Sequence, residues 1–191
     1  MKKLIIGGFS AICLLIANPV NAQEDQVNFS KEELKFSKMD ASPMDMAVYR
    51  DGEEKAVARV IYSRPQKRNR EIFGKLIPYG EVWRTGANEA TEVTLYKDMT
   101  VANAKIPAGT YTLYTIPGEK EWTVILNNKT NTWGAYEYSE KQDIARITVP
   151  VRQASYTIES LSMAFHEADN GTDLVIGWDD QFVKVPFKAA N

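Results

Sequence analysis

A chain of 191 residues with one histidine, one cysteine and a formal net charge of −2 leaves little room for several common chemistries. His166 alone cannot build a His-rich metal centre and gives a Ser-His-Asp relay no histidine to spare, and the slight acidity makes nucleic acid a poor partner. No phosphate-cradling G-x-x-x-x-G-K-[ST] loop and no G-x-S-x-G nucleophile elbow is present, so no cofactor or metal is expected and enzymatic activity is not the leading expectation.

Residues 1–22 read as a secretory signal peptide. Lys2 and Lys3 form a basic start, Leu4 to Ile16 is an apolar run, Asn18-Pro19 breaks it, and Val20-Asn21-Ala22 supplies cleavage chemistry. The run is shorter than the about 20 apolar residues that span a bilayer. Cleavage after Ala22 is therefore expected, with export to the periplasm or beyond the cell; the dilysine start looks bacterial. Removing 22 of 191 residues leaves 169, takes away the only cysteine, Cys13, and by removing two lysines shifts the net charge from −2 to −4. A mature chain of that size buries enough surface to fold without disulfides, and it contains no further run long enough to span a membrane. Oligomeric state is not legible.

Residues 23–43 read as a tether. Ser30-Lys31-Glu32-Glu33 matches a capping box and admits a short helix near 30–38. Residues 44–191 read as a single domain. From Met44 the hydrophobic period is two: Met44, Met46 and Val48 alternate with polar or small residues, and Asp51-Gly52 predicts a type I′ hairpin turn into Val57–Ser63. Thr91–Tyr96, Val101–Ile106, Thr110–Ile116 and Trp122–Leu126 repeat the pattern, punctuated by Pro107-Ala108-Gly109 and Pro117-Gly118. Ile144–Val151, Tyr156–Phe165, Asp173–Trp178 and Phe182–Phe187 alternate again, with a hairpin turn at Asn170-Gly171. About ten short strands without a credible long helix predict an all-β, antiparallel, jelly-roll-like β-sandwich. Gly177-Trp178-Asp179 occurs once and signals no propeller repeat. Three N-glycosylation patterns, at Asn28, Asn128 and Asn170, matter only in a cell with that machinery.

Two stretches break the alternation. Arg64–Ala90 carries Pro65, Pro78, Gly74, Gly80 and Gly86, which forbid a long regular element, yet also Ile72, Phe73, Leu76, Ile77, Val82 and Trp83, too apolar for a loose linker. It reads as a structured excursion, a common place for function. Asn127–Asp143 holds Trp133, Gly134, Tyr136 and Tyr138, whose aromatics either extend a binding rim or staple a long loop.

Between Arg64 and Arg84, the bases Arg64, Lys67, Arg68, Arg70, Lys75 and Arg84 stand against Glu71 and Glu81, a local surplus of four positive charges. Guanidinium forks suit carboxylates, phosphates and sulfates. Thr85, Asn88, Glu89 and Thr91 add donors and acceptors beside Trp83, an arrangement suited to a small polar or anionic ligand, including a glycan fragment. The candidate ligand-binding set is Arg64, Arg70, Trp83, Arg84, Asn88, Glu89 and Thr91; no catalytic residue is assigned. The competing reading is structural: the arginines pair with Glu89 and with freed carbonyls while Trp83 anchors the loop. Two other classes stay open. One is a carbohydrate-active enzyme using Glu89 and Glu81 across a cleft; the other is an envelope interaction module with an exposed apolar patch or sheet edge.

Tyr62-Ser63-Arg64-Pro65, Arg70-Glu71-Ile72-Phe73-Gly74, Trp83 through Thr91 (WRTGANEAT), Ala108-Gly109-Thr110-Tyr111, Trp122-Thr123-Val124-Ile125, Trp133-Gly134-Ala135-Tyr136 and Asp143 through Arg146 together resemble a family of exported bacterial proteins catalogued as a domain of unknown function. The resemblance runs from about Ser42 to Phe187. It implies export and one domain, and makes Arg64–Thr91 the signature stretch without supplying a mechanism. The family pattern has a glycine before the Arg70 equivalent; here Asn69 stands there, and it can hold the left-handed turn.

Overall fold

The computed structural model describes residue 31 and residues 33–190. The leader and part of the tether lie outside these residues, and the described tether positions 31 and 33–40 form neither helix nor strand. Ten strands follow: β1 Met44–Arg50, β2 Ala56–Ser63, β3 Glu92–Leu95, β4 Met99–Val101, β5 Ala104–Ile106, β6 Gly109–Ile116, β7 Glu121–Asn127, β8 Asp143–Pro150, β9 Arg152–Ala168 and β10 Gly171–Ala189. They form two antiparallel sheets in the orders β1-β2-β3-β6-β7-β8 and β5-β4-β10-β9. The predicted all-β, antiparallel class is what the alternation produces. One face of each sheet enters a shared core that includes Val60, Val93, Leu113 and Val124 from the first sheet and Leu161, Ile176, Val185 and Phe187 from the second. At the flanks β1 lies against β9, and β8 against β10 and β5.

Local chemistry shifts several boundaries. The turn after β1 is not a two-residue type I′ turn. The Asp51 carboxylate accepts from the N–H groups of Glu53 and Lys55 at 3.0 and 3.1 Å, and Glu54, not Gly52, takes the left-handed conformation (φ 61°). An aspartate acceptor at the loop entrance competes with the ladder and lengthens the connection. The segment Val101–Ile106 divides into β4 and β5 around a left-handed Ala102 (φ 54°), because Val101 pairs with Ala104. Asn170 is left-handed (φ 59°) in the β9–β10 turn.

β10 is continuous but not straight. Its 19 residues would span about 60 Å if extended, yet Ala189 N–H donates to Asn170 O at 2.9 Å. A Cβ on Gly171 would lie 2.1 Å from Phe187 O, and one on Gly177 would lie 3.4 Å from Phe182 Cβ. The element therefore doubles back, with Asp179 left-handed (φ 58°) at the bend. The two alternating segments read at 173–178 and 182–187 are its two arms. Opposite the bend, β9 shifts register against β10 on either side of Asp179, and the displaced backbone meets the excursion.

The core is closed at one end by aromatic rings from three places. Trp122 of β7 and Trp178 of β10 are 0% and 1% exposed, and Phe73 and Trp83 of the excursion are inserted with them. Phe73 meets Trp122 at 4.9 Å, and Trp83 stacks on Trp178 at 6.0 Å with an interplanar angle of 19°. The excursion is thus part of the core.

Candidate functional site

The excursion is held by hydrogen bonds that change partner every few residues. Leu161 N–H donates to Pro65 O (3.0 Å) and Lys67 N–H to Glu159 O (2.7 Å), so the chain leaving β2 pairs with the displaced part of β9. Arg68 and Asn69 follow, both left-handed (φ 50° and 58°), and Arg70 N–H closes on Lys67 O at 3.1 Å. This is a type I′ geometry, with Arg68 and Asn69 at its two left-handed positions. Lys67 Nζ then donates to Asp179 at 2.6 Å, tying this turn to the bend of β10. Gly74 (φ 84°) reverses the chain, with Ile77 N–H on Ile72 O at 2.8 Å, which turns Ile72 and Phe73 inward. Finally Trp83 exchanges both backbone bonds with Thr115 of β6, at 2.7 and 2.9 Å.

After Trp83 the backbone is strained. Thr85 is fully buried and left-handed (φ 55°), an outlier for a β-branched residue. It is held there by its neighbours: its hydroxyl lies 3.0 Å from that of Thr115, and Thr91 Oγ1 donates to Thr85 O at 2.8 Å. Residues held in this way cluster at functional sites.

Beside this strained turn lies a hollow of about 340 Å³ lined by Arg70, Glu81, Trp83, Arg84, Trp178 and Pro78 among others. Its polar groups are unequally engaged. Arg70 donates from Nε to Lys67 O at 2.9 Å and from Nη2 to Gln66 O. Trp83 Nε1 donates to Gly86 O at 3.2 Å. Arg84 differs: its Nε is buried with no hydrogen-bond partner among the described residues. A buried donor left without an acceptor costs about 1–3 kcal/mol. The orphaned donor and the left-handed threonine are consecutive in sequence.

The seven sequence candidates are only partly brought together. Arg70, Trp83 and Arg84 share this hollow. Arg64 faces a different one, of about 680 Å³ along β9, and its guanidinium is engaged by the protein. Nε donates to Leu161 O (3.1 Å), Nη1 to Asp45 (2.9 Å) and Nη2 to Ser162 Oγ (2.9 Å). For Arg64, the structural reading is the one the geometry matches. Glu89 lines a third, smaller hollow with Asn131 and Thr132, so Glu81 and Glu89 do not face one cleft. Asn88 is left-handed (φ 57°) and its carbonyl accepts from Gly134 N–H at 2.9 Å. Thr91 is buried and bonded to Thr85 O. Both shape the turn and line none of these hollows.

Two participants escaped sequence reasoning. Trp178 stacks on Trp83 and lines the hollow, and Asp179 fixes Lys67. The signal available was Gly177-Trp178-Asp179-Asp180, a Gly-Asp-rich interruption between alternating arms.

The model of the family described as Protein of unknown function (DUF2911) matches residues 42–187. The chain belongs to this family. The match covers the same span as the resemblance carried by the sequence blocks, from Ser42 at the rim of the Arg84 hollow to Phe187 in the core. Within the DUF2911 region lie the whole excursion, the second irregular stretch and both sheets except the last two residues of β10. No curated protein and no solved structure matches the chain.

Among the described residues no helix is long and apolar enough to cross a membrane, and no cluster of three or more His, Cys, Asp or Glu side chains has the spacing to hold a metal.

Proposed function

We propose that this DUF2911 protein is an exported, soluble binding protein for a small anionic ligand, taken into the hollow beside Trp83 and Trp178. One observation carries the reading: Arg84, which lines that hollow, has a buried Nε with no hydrogen-bond partner among the described residues. A carboxylate or comparable oxyanion supplies the missing acceptor, and a charge-assisted bond in a partly desolvated site is among the stronger polar contacts. Arg70 adds positive charge, while Leu76, Ile77, Pro78 and Val82 offer apolar wall for the body of the ligand. The strained Thr85 supports the same place, since strain beside an orphaned donor is a cost without structural return. Export rests on the leader-like residues 1–22.

Arg84→Met tests the reading against benzoate and glucuronate as probes. The wild-type protein is expected to gain thermal stability with either probe, by about 2.7 kcal/mol at a hundredfold excess over Kd, and Arg84→Met to lose that gain while remaining folded. No shift with either carboxylate, or an Arg84→Met protein that unfolds, overturns it.

A further inference from the structure

The second irregular stretch contains an aromatic pair that the fold does not use. Trp133 and Tyr136 are 60% and 80% exposed, and their rings stack on each other at 5.7 Å with an interplanar angle of 13°. Other groups hold the loop. Ala90 N–H donates to Thr132 O and Gly134 N–H to Asn88 O, each at 2.9 Å. The Tyr114 and Thr132 hydroxyls meet at 3.0 Å, Asn127 Nδ2 donates to Ser139 O at 3.1 Å, and Tyr138 OH donates to Asp143 at 2.7 Å. Tyr138 also packs its ring against Tyr114 at 5.2 Å. Tyr138 is the staple. Trp133 and Tyr136 are not.

The pair is nevertheless built. Gly134 is left-handed (φ 72°), and a Cβ there would lie 2.7 Å from the Tyr136 ring, so the glycine is what lets Tyr136 fold back beside Trp133. The loop backbone beneath is pinned to the excursion by the Ala90 and Asn88 bonds. A built pair of stacked, exposed rings in water is informative where a lone exposed side chain is not.

Ring geometry and charge select its ligand. A cage for a quaternary cation surrounds one point with rings at steep angles, whereas nearly parallel rings present flat outer faces. Glu89, Glu92, Glu137, Glu140 and Asp143 lie on or beside the loop. Of the cations there, Lys129 is paired with Glu137 and Arg146 with Asp143 and Glu140, and Lys141 sits at the far end of the loop, so acids outnumber bases. That balance repels the phosphates of nucleic acid and of anionic lipid. A flat apolar face on an acidic loop, with Asn131 two residues from Trp133, suits a neutral sugar ring, whose C–H face lies on the aromatic while its hydroxyls bond neighbouring polar groups. We propose that Trp133 and Tyr136 form a platform for a neutral β-linked pyranose chain. This site is separate from the Arg84 hollow and does not depend on it.

The four tryptophans make the experiment direct. Trp83, Trp122 and Trp178 are buried, so the emission quenched by iodide belongs to Trp133. The full exported chain is titrated with cellotetraose and, separately, chitotetraose. Expected is saturable protection of Trp133 from iodide by at least one of them, weakened about tenfold or more in Tyr136→Ala, which keeps the reporter and removes the ring that holds it in place. Arg84→Met is expected to bind the oligosaccharide as the wild type does, which separates this site from the anion hollow. No protection by either sugar at 10 mM (about the weakest affinity such a platform would show), or equal protection in Tyr136→Ala, overturns the proposal. Protection by phosphatidylglycerol vesicles in place of the sugars overturns it as well.

Discussion

The excursion Arg64–Ala90 and the stretch Asn128–Gln142 are the two irregular segments of an otherwise pleated domain, and they place their aromatics in opposite ways. Trp83 is 7% exposed, bonded through Nε1 and stacked between the sheets, whereas Trp133 is 60% exposed and stacked only on another exposed ring. Both segments carry Trp, Gly and polar residues in similar density. The difference comes from where each joins the sheets. The excursion enters at the end of the sandwich where Trp122 and Trp178 leave room for two more rings. The second stretch joins β7 to β8, neighbours in one sheet, and Tyr138 with Tyr114 and Ala90 already fills its interior side. A loop aromatic is a core residue only when the sheets leave it a place.

The strongest way to break that comparison is to truncate each tryptophan. Trp83→Ala is expected to cost about 3–5 kcal/mol in urea unfolding, as large core deletions do. Trp133→Ala should stay within about 0.5 kcal/mol of wild type, as exposed sites do. Similar losses from the two would show that Trp133 is structural and remove the basis for the platform.

Next in size is a glycine comparison. Gly74 and Gly134 are both left-handed, and a Cβ on each would sit 2.8 Å from the Tyr79 ring and 2.7 Å from the Tyr136 ring respectively. Alanine at either position carries the left-handed penalty of about 1–2 kcal/mol. The steric part should vanish at position 134 in a Tyr136→Ala background, because that ring alone causes it. A double-mutant cycle by thermal unfolding measures this coupling, and a zero coupling energy would contradict the packing of Tyr136 over Gly134.

Smaller still, and opposite in sign, is Arg84→Met without ligand. Removing an unpartnered buried donor should leave the midpoint of urea unfolding unchanged or raise stability by up to about 1 kcal/mol. Arg64→Met should be destabilising, since it strands Asp45 and the Leu161 carbonyl. Equal losses at the two positions would make Arg84 as structural as Arg64.

The last effect is confined to alkaline solution. Burial, with the neighbouring Asp143 carboxylate, pushes the Tyr138 phenol from 10.0 up to about 12. A group whose folded pKa is raised contributes fully below its unfolded value and loses that contribution as pH rises through the folded one. Stability should therefore fall between about pH 10 and 12, and Tyr138→Phe should flatten part of that fall in pH-dependent denaturation. Tyr62, raised by burial, contributes in the same sense and remains in the variant. An unchanged alkaline limb would exclude Tyr138 as its source.

How much of this was legible beforehand depends on the range of the interaction. Strand positions followed from alternation, because pleating is local. That Asn69 can hold a left-handed turn was legible from residue type, whereas Arg68, also left-handed (φ 50°), gave no such sign. Of the seven candidates, Arg70, Trp83 and Arg84 line one hollow, but Arg64, Glu89, Asn88 and Thr91 went elsewhere. Irregular backbone does not keep sequence neighbours on one side. Ala102 and Thr85 gave no local sign of their positive φ angles, since neither residue type favours them and only the surrounding contacts enforce them.

By itself the sequence determined an all-β body, the two places where pleating fails and the membership of the chain in its family, since these rest on periodicity, breakers and contiguous blocks. Only the tertiary structure decided which arginine is satisfied and which tryptophan is hidden. Arg64 finds two of its three acceptors 97 and 98 residues away, at Leu161 and Ser162, while Arg84 Nε meets none among the described residues. Whether a donor is answered depends on what distant strands bring beside it, and no pattern within the excursion encodes that.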